Sequence, residues 1–186
     1  MTFLLLARAL RSLWLPVKAL LLTIVSLAAA YGITVLIWQQ GIGTEVLASG
    51  ASGAITVWVP IAAFAFLFGL SMDDEVFILS RMREAYDQHG DTDRAVVDGI
   101  AQTGRLVTSA ALILFLSFVA LSTVPAVEVK ILATALALGI AIDALIVRAF
   151  LAPALVALPG RRNWTLPTSL DRLLRLPRAQ PAVVGL

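Results

Sequence analysis

The chain has 186 residues, of which 60% are hydrophobic and 14% are charged, and its formal net charge is +2. Soluble domains carry roughly a quarter charged residues, so this composition excludes an ordinary soluble domain and indicates a chain that faces lipid. The absence of cysteine excludes disulfides, thiolate metal sites and cysteine nucleophiles. The basic residues lie between apolar segments, a pattern of membrane topology that gives no indication of a nucleic-acid partner.

Several apolar segments are long enough to cross a bilayer, which takes about 20 mostly apolar residues. We predict a partial span at about residues 1–10, followed by complete spans at about residues 19–38, 55–80, 106–124 and 129–158. The predicted fold class is therefore all-α: a polytopic membrane helix bundle of four full spanning helices plus a truncated N-terminal one. Residues 1–160 would form the bundle and residues 161–186 a basic tail.

The basic residues predict the orientation of these spans. Of the 14 Lys and Arg residues, all except Lys130 would fall on one side of the membrane. Because basic residues are retained on the cytoplasmic side, the loop at 81–105 and the C-terminal tail are predicted to be cytoplasmic. The connections at 39–54 and 122–128 would be external. We expect a multi-pass protein of the cell membrane, surrounded by membrane lipids.

The predicted cytoplasmic loop and tail each contain a short helical pattern. Asp91-Thr92-Asp93 after Gly90 predict a cap for a helix over 94–102. One face of that helix carries Ala95, Val96, Gly99 and Ile100, so we expect it to lie against the membrane surface. In the tail, residues 169–176 form a basic amphipathic stretch that suits an interfacial helix, with a disordered tail as the alternative.

The third apolar segment contains three consecutive acids, Asp73-Asp74-Glu75. Asp73 lies eight residues before Arg81, which places it roughly 12 Å inside a hydrocarbon core ~30 Å thick. An ionised carboxylate at that depth costs on the order of 3 kcal/mol. The cluster therefore indicates an ion or proton site that faces the bundle interior. The alternative is a shallower cluster in a water-filled funnel with a structural role.

Helical geometry separates the three acids. Successive residues rotate by about 100°, so the three span roughly 200° and do not share one cavity. Asp73 falls on one stripe with Phe66, Gly69 and Phe77, whereas Glu75 should reach a different polar neighbour. Because adjacent carboxylates in a poorly solvated site resist double ionisation, the pair Asp73 and Asp74 is predicted to load and release protons.

Asp143 in the last apolar segment is the second intramembrane carboxylate. Like Asp73, it follows a glycine by four residues (Gly69 and Gly139), and a small residue there permits close helix approach. Arg148 lies five residues further on, which predicts a poor intrahelical pair with Asp143, so that Arg148 would either pair with another helix or extend its charge toward the membrane surface. We interpret Asp143 as structural more than as a direct participant.

Four residues are predicted to support the acidic pair without belonging to it. Two are the charged residues of the last segment, Asp143 and Arg148. The other two are hydroxyl residues of the fourth segment, Thr108 and Ser109, although Ser and Thr are also common packing residues in membranes. The sequence contains no metal-spaced His/Asp/Glu set, no phosphate-binding glycine loop and no nucleophile beside a base. We therefore predict no enzyme activity, no metal and no cofactor.

Residues 68–84, FGLSMDDEVFILSRMRE, resemble the signature of the MMPL branch of the resistance-nodulation-division (RND) transporters. The resemblance continues, in the same order, through Arg94-Ala95-Val96, Thr103-Gly104-Arg105, residues 108–112, Ile142-Asp143-Ala144 with Val147-Arg148, and residues 162–167. It implies twelve spans in full-length members, arranged in two similar halves with large external domains. This chain is similar to the end of the second half, from the last turns of the eighth helix onward.

The resemblance implies proton-driven export of lipids, hydrophobic metabolites or drugs. Proton coupling in this family runs through Asp-Tyr pairs in the fourth and tenth helices, and Asp73 matches the aspartate of the tenth-helix pair. Asp74 stands in the tyrosine position, which is a departure, because an aspartate donates a hydrogen bond only when it is protonated. The expected partners are a hydrophobic or lipid substrate and a complementary transporter half or a second copy.

Two other functions are compatible with the same sequence. A non-transporting membrane scaffold, or a truncated remnant that associates with other membrane proteins, would also need apolar helices. A channel is less favoured, because four spans with one acidic cluster do not specify a pore. Co-purification with an N-terminal half would favour a split transporter, whereas instability without any partner would favour a remnant.

Overall fold

The fold is taken from a computed structural model, which describes residues 12, 14–43, 53–158 and 164. Within these residues the chain forms four long helical rods: α1 (Trp14–Trp38), α2 (Trp58–His89), α3 (Thr92–Leu121) and a last rod made of three parts. The last rod consists of α4 (Val127–Ile142), a π-helical segment (Asp143–Leu151) and α5 (Ala152–Ala157). The predicted partial span at 1–10, and the tail at 161–186 apart from Trp164, lie outside the described residues.

The described part of the chain is an all-α bundle, as predicted. Three of its rods are long and apolar enough to cross a membrane: Trp14–Trp38, Thr92–Leu121 and Val127–Ala157. The rod α2 has 32 residues, a length of roughly 48 Å, but its three acids interrupt the apolar run. By length and apolarity together the count is therefore three described spans, not four complete ones, and α2 is the rod that carries the charge.

Hydrogen bonds between the rods fix their directions. At one end, the Trp38 indole N–H donates to Thr134 Oγ1 at 2.8 Å and the Trp58 indole N–H donates to Glu128 Oε2 at 3.1 Å. At the opposite end, Lys18 Nζ donates to the Leu155 carbonyl oxygen at 2.5 Å. Consecutive rods therefore run up and down through the bundle, and the start of α1 lies beside the end of α5.

The turn between α2 and α3 consists of only two residues. Gly90 ends α2 with φ 68°, a left-handed conformation that glycine adopts without strain. Asp91 then caps α3, because its side chain accepts the backbone N–H of Asp93 at 2.9 Å and of Arg94 at 3.1 Å. The predicted cap is confirmed. The predicted loop over 81–105 is wrong, because helix occupies nearly all of it.

The prediction of a separate surface helix over 94–102 is also wrong. These residues are the first turns of α3, which continues without a break to Leu121. Their apolar face packs against α2, where Ala95 and Val96 join Met82 and Ala85 in one buried cluster. A short turn brings the two helices into antiparallel contact, so the face that resembled a membrane-lying surface is a helix–helix contact.

The two glycines that precede the intramembrane acids have different surroundings. A Cβ at Gly139 would lie 2.6 Å from Leu67 Cδ1 and 3.3 Å from Ala30 Cβ, so this glycine lets α4 approach both α1 and α2. A Cβ at Gly69 would meet nothing within 4 Å. Close helix approach is therefore confirmed at Gly139, and it is absent at Gly69 among the described residues.

Trp164, beyond the last rod, is fastened to the α2–α3 turn. Its ring stacks on Tyr86 with centroids 4.4 Å apart, and its indole N–H donates to Thr92 Oγ1 at 3.1 Å. Arg83 Nη1 donates to the Trp164 carbonyl oxygen at 2.9 Å. Trp164 therefore lies at the end of the bundle at which α2 ends and α3 begins.

Gly99→Ala should destabilise the bundle, because the added Cβ would lie 2.5 Å from Met82 Cγ and 3.0 Å from Met82 Cα. Overpacking of this kind costs about 1–3 kcal/mol. Gly104→Ala is the matched control: it lies in the same helix and gains the same helix propensity, but its nearest contact would be 3.9 Å away. Thermal unfolding in detergent should show a lower midpoint for Gly99→Ala alone. Equal midpoints for the two variants would contradict the close α2–α3 contact.

Candidate functional site

The inward face of α2 is a stripe that repeats about every fourth residue. Its buried positions run through Ala63, Leu67, Ser71, Glu75 and Leu79. This spacing keeps the residues on one side of an α-helix. The two polar members are consecutive along the stripe, so Ser71 and Glu75 both point into the bundle from the middle of the helix.

Glu75 is 5% exposed and faces α1. Its Oε2 lies 3.4 Å from Oγ1 of Thr23, a fully buried residue of α1. The Thr23 hydroxyl also lies 3.1 Å from the Ala19 carbonyl oxygen, one turn earlier in its own helix. The prediction that Glu75 reaches a separate polar neighbour is confirmed, and that neighbour is Thr23.

Asp143 is buried between the last rod and α2, and donors satisfy both of its carboxylate oxygens. Ser71 Oγ donates to Oδ1 at 3.0 Å, and Arg148 Nη2 donates to Oδ2 at 2.5 Å. The bond from the guanidinium to the carboxylate is charge-assisted, which makes it stronger than a bond between neutral groups. Asp143 is thus a second inward-facing acid of the bundle.

Arg148 connects this acid to the acidic cluster. Its Nη1 donates to Asp74 Oδ2 at 2.6 Å, while its Nη2 holds Asp143. We refer to Asp74, Arg148 and Asp143 as the arginine bridge. The guanidinium side chain is 9% exposed, and a charge so far from water is tolerated only when it is paired and hydrogen-bonded. The bridge therefore ties the last rod to α2 through charges.

The π-helical segment makes this bridge possible. Residues five apart in an α-helix are turned roughly 140° from each other, which is why the sequence predicted no direct pair between Asp143 and Arg148. Both residues lie in the π segment, where the backbone bonds run from i to i+5 and residues five apart are one turn from each other. The prediction is wrong because it assumed α-helical geometry.

A proline explains why the last rod widens at this point. Pro153 is the second residue of α5, just after the π segment. Proline has no N–H to donate, and its ring clashes with the carbonyl four residues earlier, which here belongs to Ala149. A local change from α to π geometry before the proline relieves both problems. The position of Pro153 therefore accounts for the register that aligns Arg148 with Asp143.

A small cavity adjoins the bridge. Its volume of about 10 Å³ is room for about one water molecule. Its polar lining consists of Thr23, Ser26, Ser71, Asp74, Asp143 and Arg148. Thr23, whose hydroxyl contacts Glu75, thus lines the same cavity as the three residues of the arginine bridge.

Asp73, the acid with the strongest sequence argument, does not face this interior. It is exposed, on the same side of α2 as Phe66, Gly69 and Phe77, which are exposed as well. The prediction of an inward-facing Asp73 is therefore wrong for the described helices. The reason is the rotation along α2: once Glu75 takes the inward position and Asp74 the edge, Asp73 is turned outward.

The two predicted hydroxyls of α3 lie away from the bridge. Thr108 is exposed and lines a second cavity of about 140 Å³, which Arg148 and Thr103 also line. Ser109 is exposed, and its hydroxyl donates to the Arg105 carbonyl oxygen of its own helix. Thr108 thus borders the site at a distance, and among the described residues Ser109 does not contact the arginine bridge.

Sequence reasoning overlooked Ser71 and Thr23 and placed Glu75 outside the site. The repeat of small, apolar and polar residues at every fourth position from Ala63 to Leu79 was the available signal. It identifies the inward face of α2 independently of the acids. The pattern Ala19, Thr23 and Ala30 on the buried face of α1 is a weaker signal, because small residues pack helices generally in membranes.

Comparison with known proteins gives extensive matches. The profile of the MMPL family matches residues 1–183. The "Heme uptake protein MmpL11" of Mycobacterium tuberculosis is 41% identical over 176 residues, which are 92% of this chain and 18% of that protein. In Mycolicibacterium smegmatis, the "Mycolic acid-containing lipids exporter MmpL11" is 40% identical (92% and 18% covered), and the "Trehalose monomycolate exporter MmpL3" is 35% identical (87% and 16% covered).

The match is long on this chain and short on the relatives, since the chain spans less than a fifth of the length of these three proteins. The three apolar rods and these relatives together identify a multi-pass membrane protein. Nearly every residue of the chain lies within the family match, and the chain belongs to the MMPL family.

Proposed function

We propose that this chain is the membrane part of a proton-driven exporter of lipids or other hydrophobic compounds. The observation that carries the proposal is the arginine bridge, in which carboxylates from two rods hold one buried guanidinium. Ionisable groups inside a membrane bundle are expensive and mark ion or proton pathways. Membership of a family with named exporters supports transport as the use of such a site.

Protonation of Asp74 supplies the coupling step. Asp74 is the more accessible acid of the bridge, with a side chain 28% exposed against 8% for Asp143. A proton on Asp74 removes its charge and weakens its bond to Arg148, while Asp143 keeps the guanidinium in place. Since Asp74 belongs to α2 and Arg148 to the last rod, proton binding changes the attraction between two rods. In this proposal the weaker attraction lets α2 and the last rod move relative to each other.

Asp73 has a different role in this proposal. Its face of α2 combines a carboxylate with Phe66, Phe77 and the open side of Gly69. A carboxylate exposed to hydrocarbon is disfavoured, whereas a small residue on an apolar face favours close packing of another helix. We infer that this face packs against helices of a complementary transporter half or of a second copy. Asp73 would then carry protons at that contact.

The nature of the cargo comes from the relatives alone. Two of them are named for the export of mycolic acid-containing lipids and of trehalose monomycolate, and one is named for heme uptake. These cargoes share a large hydrophobic part. We therefore propose a lipid or another hydrophobic compound as the substrate, carried by a transporter and not turned over by an enzyme.

A passive scaffold is the weaker alternative. Apolar helices associate through packing alone and need no buried charge. Replacing a buried ion pair by apolar residues of similar volume is often neutral or stabilising. In a scaffold the free-energy cost of burying the arginine bridge would therefore serve no purpose. In a proton-driven transporter the same charges bind and release the proton.

We also propose that the α2–α3 turn lies in the cytoplasm, which is the orientation that the basic residues predict. Arg81, Arg83 and Arg94 lie near this turn, whereas Lys130 lies near the opposite end. Because the chain has no cysteine, single substitutions report sidedness directly. In intact cells, Thr123→Cys should react with a membrane-impermeant maleimide and His89→Cys should react only after permeabilisation. The reverse pattern would contradict the orientation.

Transport itself should depend on the complementary part of the transporter. Proteoliposomes that contain this chain and the complementary part should move a fluorescent long-chain lipid when a proton gradient is imposed, and the chain alone should not. Asp73→Asn should abolish the gradient-dependent component, because an amide carries no titratable proton. Asp93→Asn, at an exposed position in the first turn of α3, is the matched control and should transport normally. Transport by the chain alone, or retained in Asp73→Asn, would overturn the proposal.

A further inference from the structure

We propose that Glu75 is a third proton-carrying carboxyl of this site, and that it holds its proton in the described structure. The inference rests on the proposed function and deepens it, because it adds a buried proton store behind the arginine bridge. The sequence predicts Asp73 and Asp74 as the proton relay. Glu75 follows them in sequence but faces a different helix, where it contacts Thr23 of α1.

The Thr23 hydroxyl limits how Glu75 can bond to it. This hydroxyl has a single hydrogen to donate, and two oxygens lie within reach, the Ala19 carbonyl at 3.1 Å and Glu75 Oε2 at 3.4 Å. A helical threonine commonly bonds back to the carbonyl four residues earlier, and that contact is the shorter one. With its hydrogen given to Ala19, Thr23 Oγ1 is left to accept. In the proposed state Glu75, as a carboxylic acid, therefore donates to Thr23 Oγ1.

The charged groups around Glu75 also favour its protonated form. The groups that face Glu75 are Asp143 and Arg148 of the π segment, whose charges act on it, and Asp74 beside it in sequence. Arg148 is already held by both aspartates. From Leu106 to Leu121, α3 carries no charged residue. Lys18 of α1 donates to the Leu155 carbonyl oxygen, near the end of the bundle where α1 begins.

An ionised Glu75 would therefore raise the net charge of the cluster from −1 to −2, inside the membrane and with no further cation facing it among the described residues. Glu75 is also 5% exposed, so water would not offset that charge. A carboxylate in such surroundings takes up a proton to become neutral. Hydrogen bonding and electrostatics thus indicate the same protonation state.

The cavity beside the bridge offers the proton a route. Thr23 lines this cavity together with Asp74, and there is room for about one water molecule. In this step the Thr23 hydroxyl turns its hydrogen from the Ala19 carbonyl to that water. Glu75 then gives its proton to Thr23 Oγ1 while Thr23 passes its hydrogen to the water, and the water protonates Asp74. The products are a Glu75 carboxylate and a neutral Asp74, with Thr23 and the water unchanged. The step moves one proton from the interior to the bridge.

Infrared difference spectroscopy tests the protonation state without any transport assay. The whole chain would be placed in lipid nanodiscs at neutral pH, and the spectrum of Glu75→Gln subtracted from that of the wild type. We expect the difference to contain the carbonyl stretch of a protonated carboxylic acid, at a higher frequency in Thr23→Val because a hydrogen bond is lost. Asp93→Asn should leave the band unchanged. A difference made of carboxylate bands instead would overturn the proposal.

A second readout tests whether the proton moves. On raising the pH, the carboxylic acid band of Glu75 should disappear reversibly, and in the assembled transporter Glu75→Gln should lower gradient-driven transport to the level of protein-free vesicles. Glu75→Asp, which keeps a titratable carboxyl, should retain part of it. A band that never titrates, or normal transport by Glu75→Gln, would contradict the carrying role. A wild type that does not transport would overturn the proposed function instead, while the infrared result would still decide the protonation of Glu75.

Discussion

The architecture of this bundle depends on one constraint, the need to neutralise the buried guanidinium of Arg148. Inside a membrane a cation is tolerated only with acids and hydrogen-bond acceptors around it. Asp143 from the same rod and Asp74 from α2 supply them, at 2.5 and 2.6 Å. The π segment, the proline that follows it and the polar stripe on α2 are all arranged so that these three side chains meet.

The constraint also explains why the site suits coupling better than simple packing. Two acids share one arginine across two rods, so in the proposed mechanism a proton on Asp74 weakens the attraction between the rods. Glu75 stands behind the bridge with its own hydroxyl partner on α1, and Asp73 faces outward from the same turn of α2. Of these three successive residues, Glu75 faces the interior, Asp74 belongs to the arginine bridge and Asp73 faces the outer surface. A single helical turn therefore carries one buried acid, one acid paired with arginine and one exposed acid.

The sequence predicted the parts of this arrangement that follow from local chemistry. Composition predicted the membrane bundle, Asp91 predicted the cap of α3, and Gly139 predicted a close helix contact. The errors arose where tertiary structure changed local geometry. A two-residue turn folded residues 94–102 onto α2, and π geometry aligned Arg148 with Asp143. The inward direction of Glu75 depended on which stripe of α2 packs, and the acids alone did not show it.

The central claim is that Arg148 is held at once by Asp143 and Asp74. Solid-state nuclear magnetic resonance on the chain in lipid bilayers measures this directly, through dipolar coupling between the guanidinium nitrogens of Arg148 and the side-chain carboxylate carbons. The structure predicts couplings of direct-contact strength to both aspartates, and the matching Asp→Ala variant, which has no side-chain carboxylate, should lose only the coupling at the substituted position. Coupling to Asp74 alone, as an uninterrupted α-helix would give, would contradict the account.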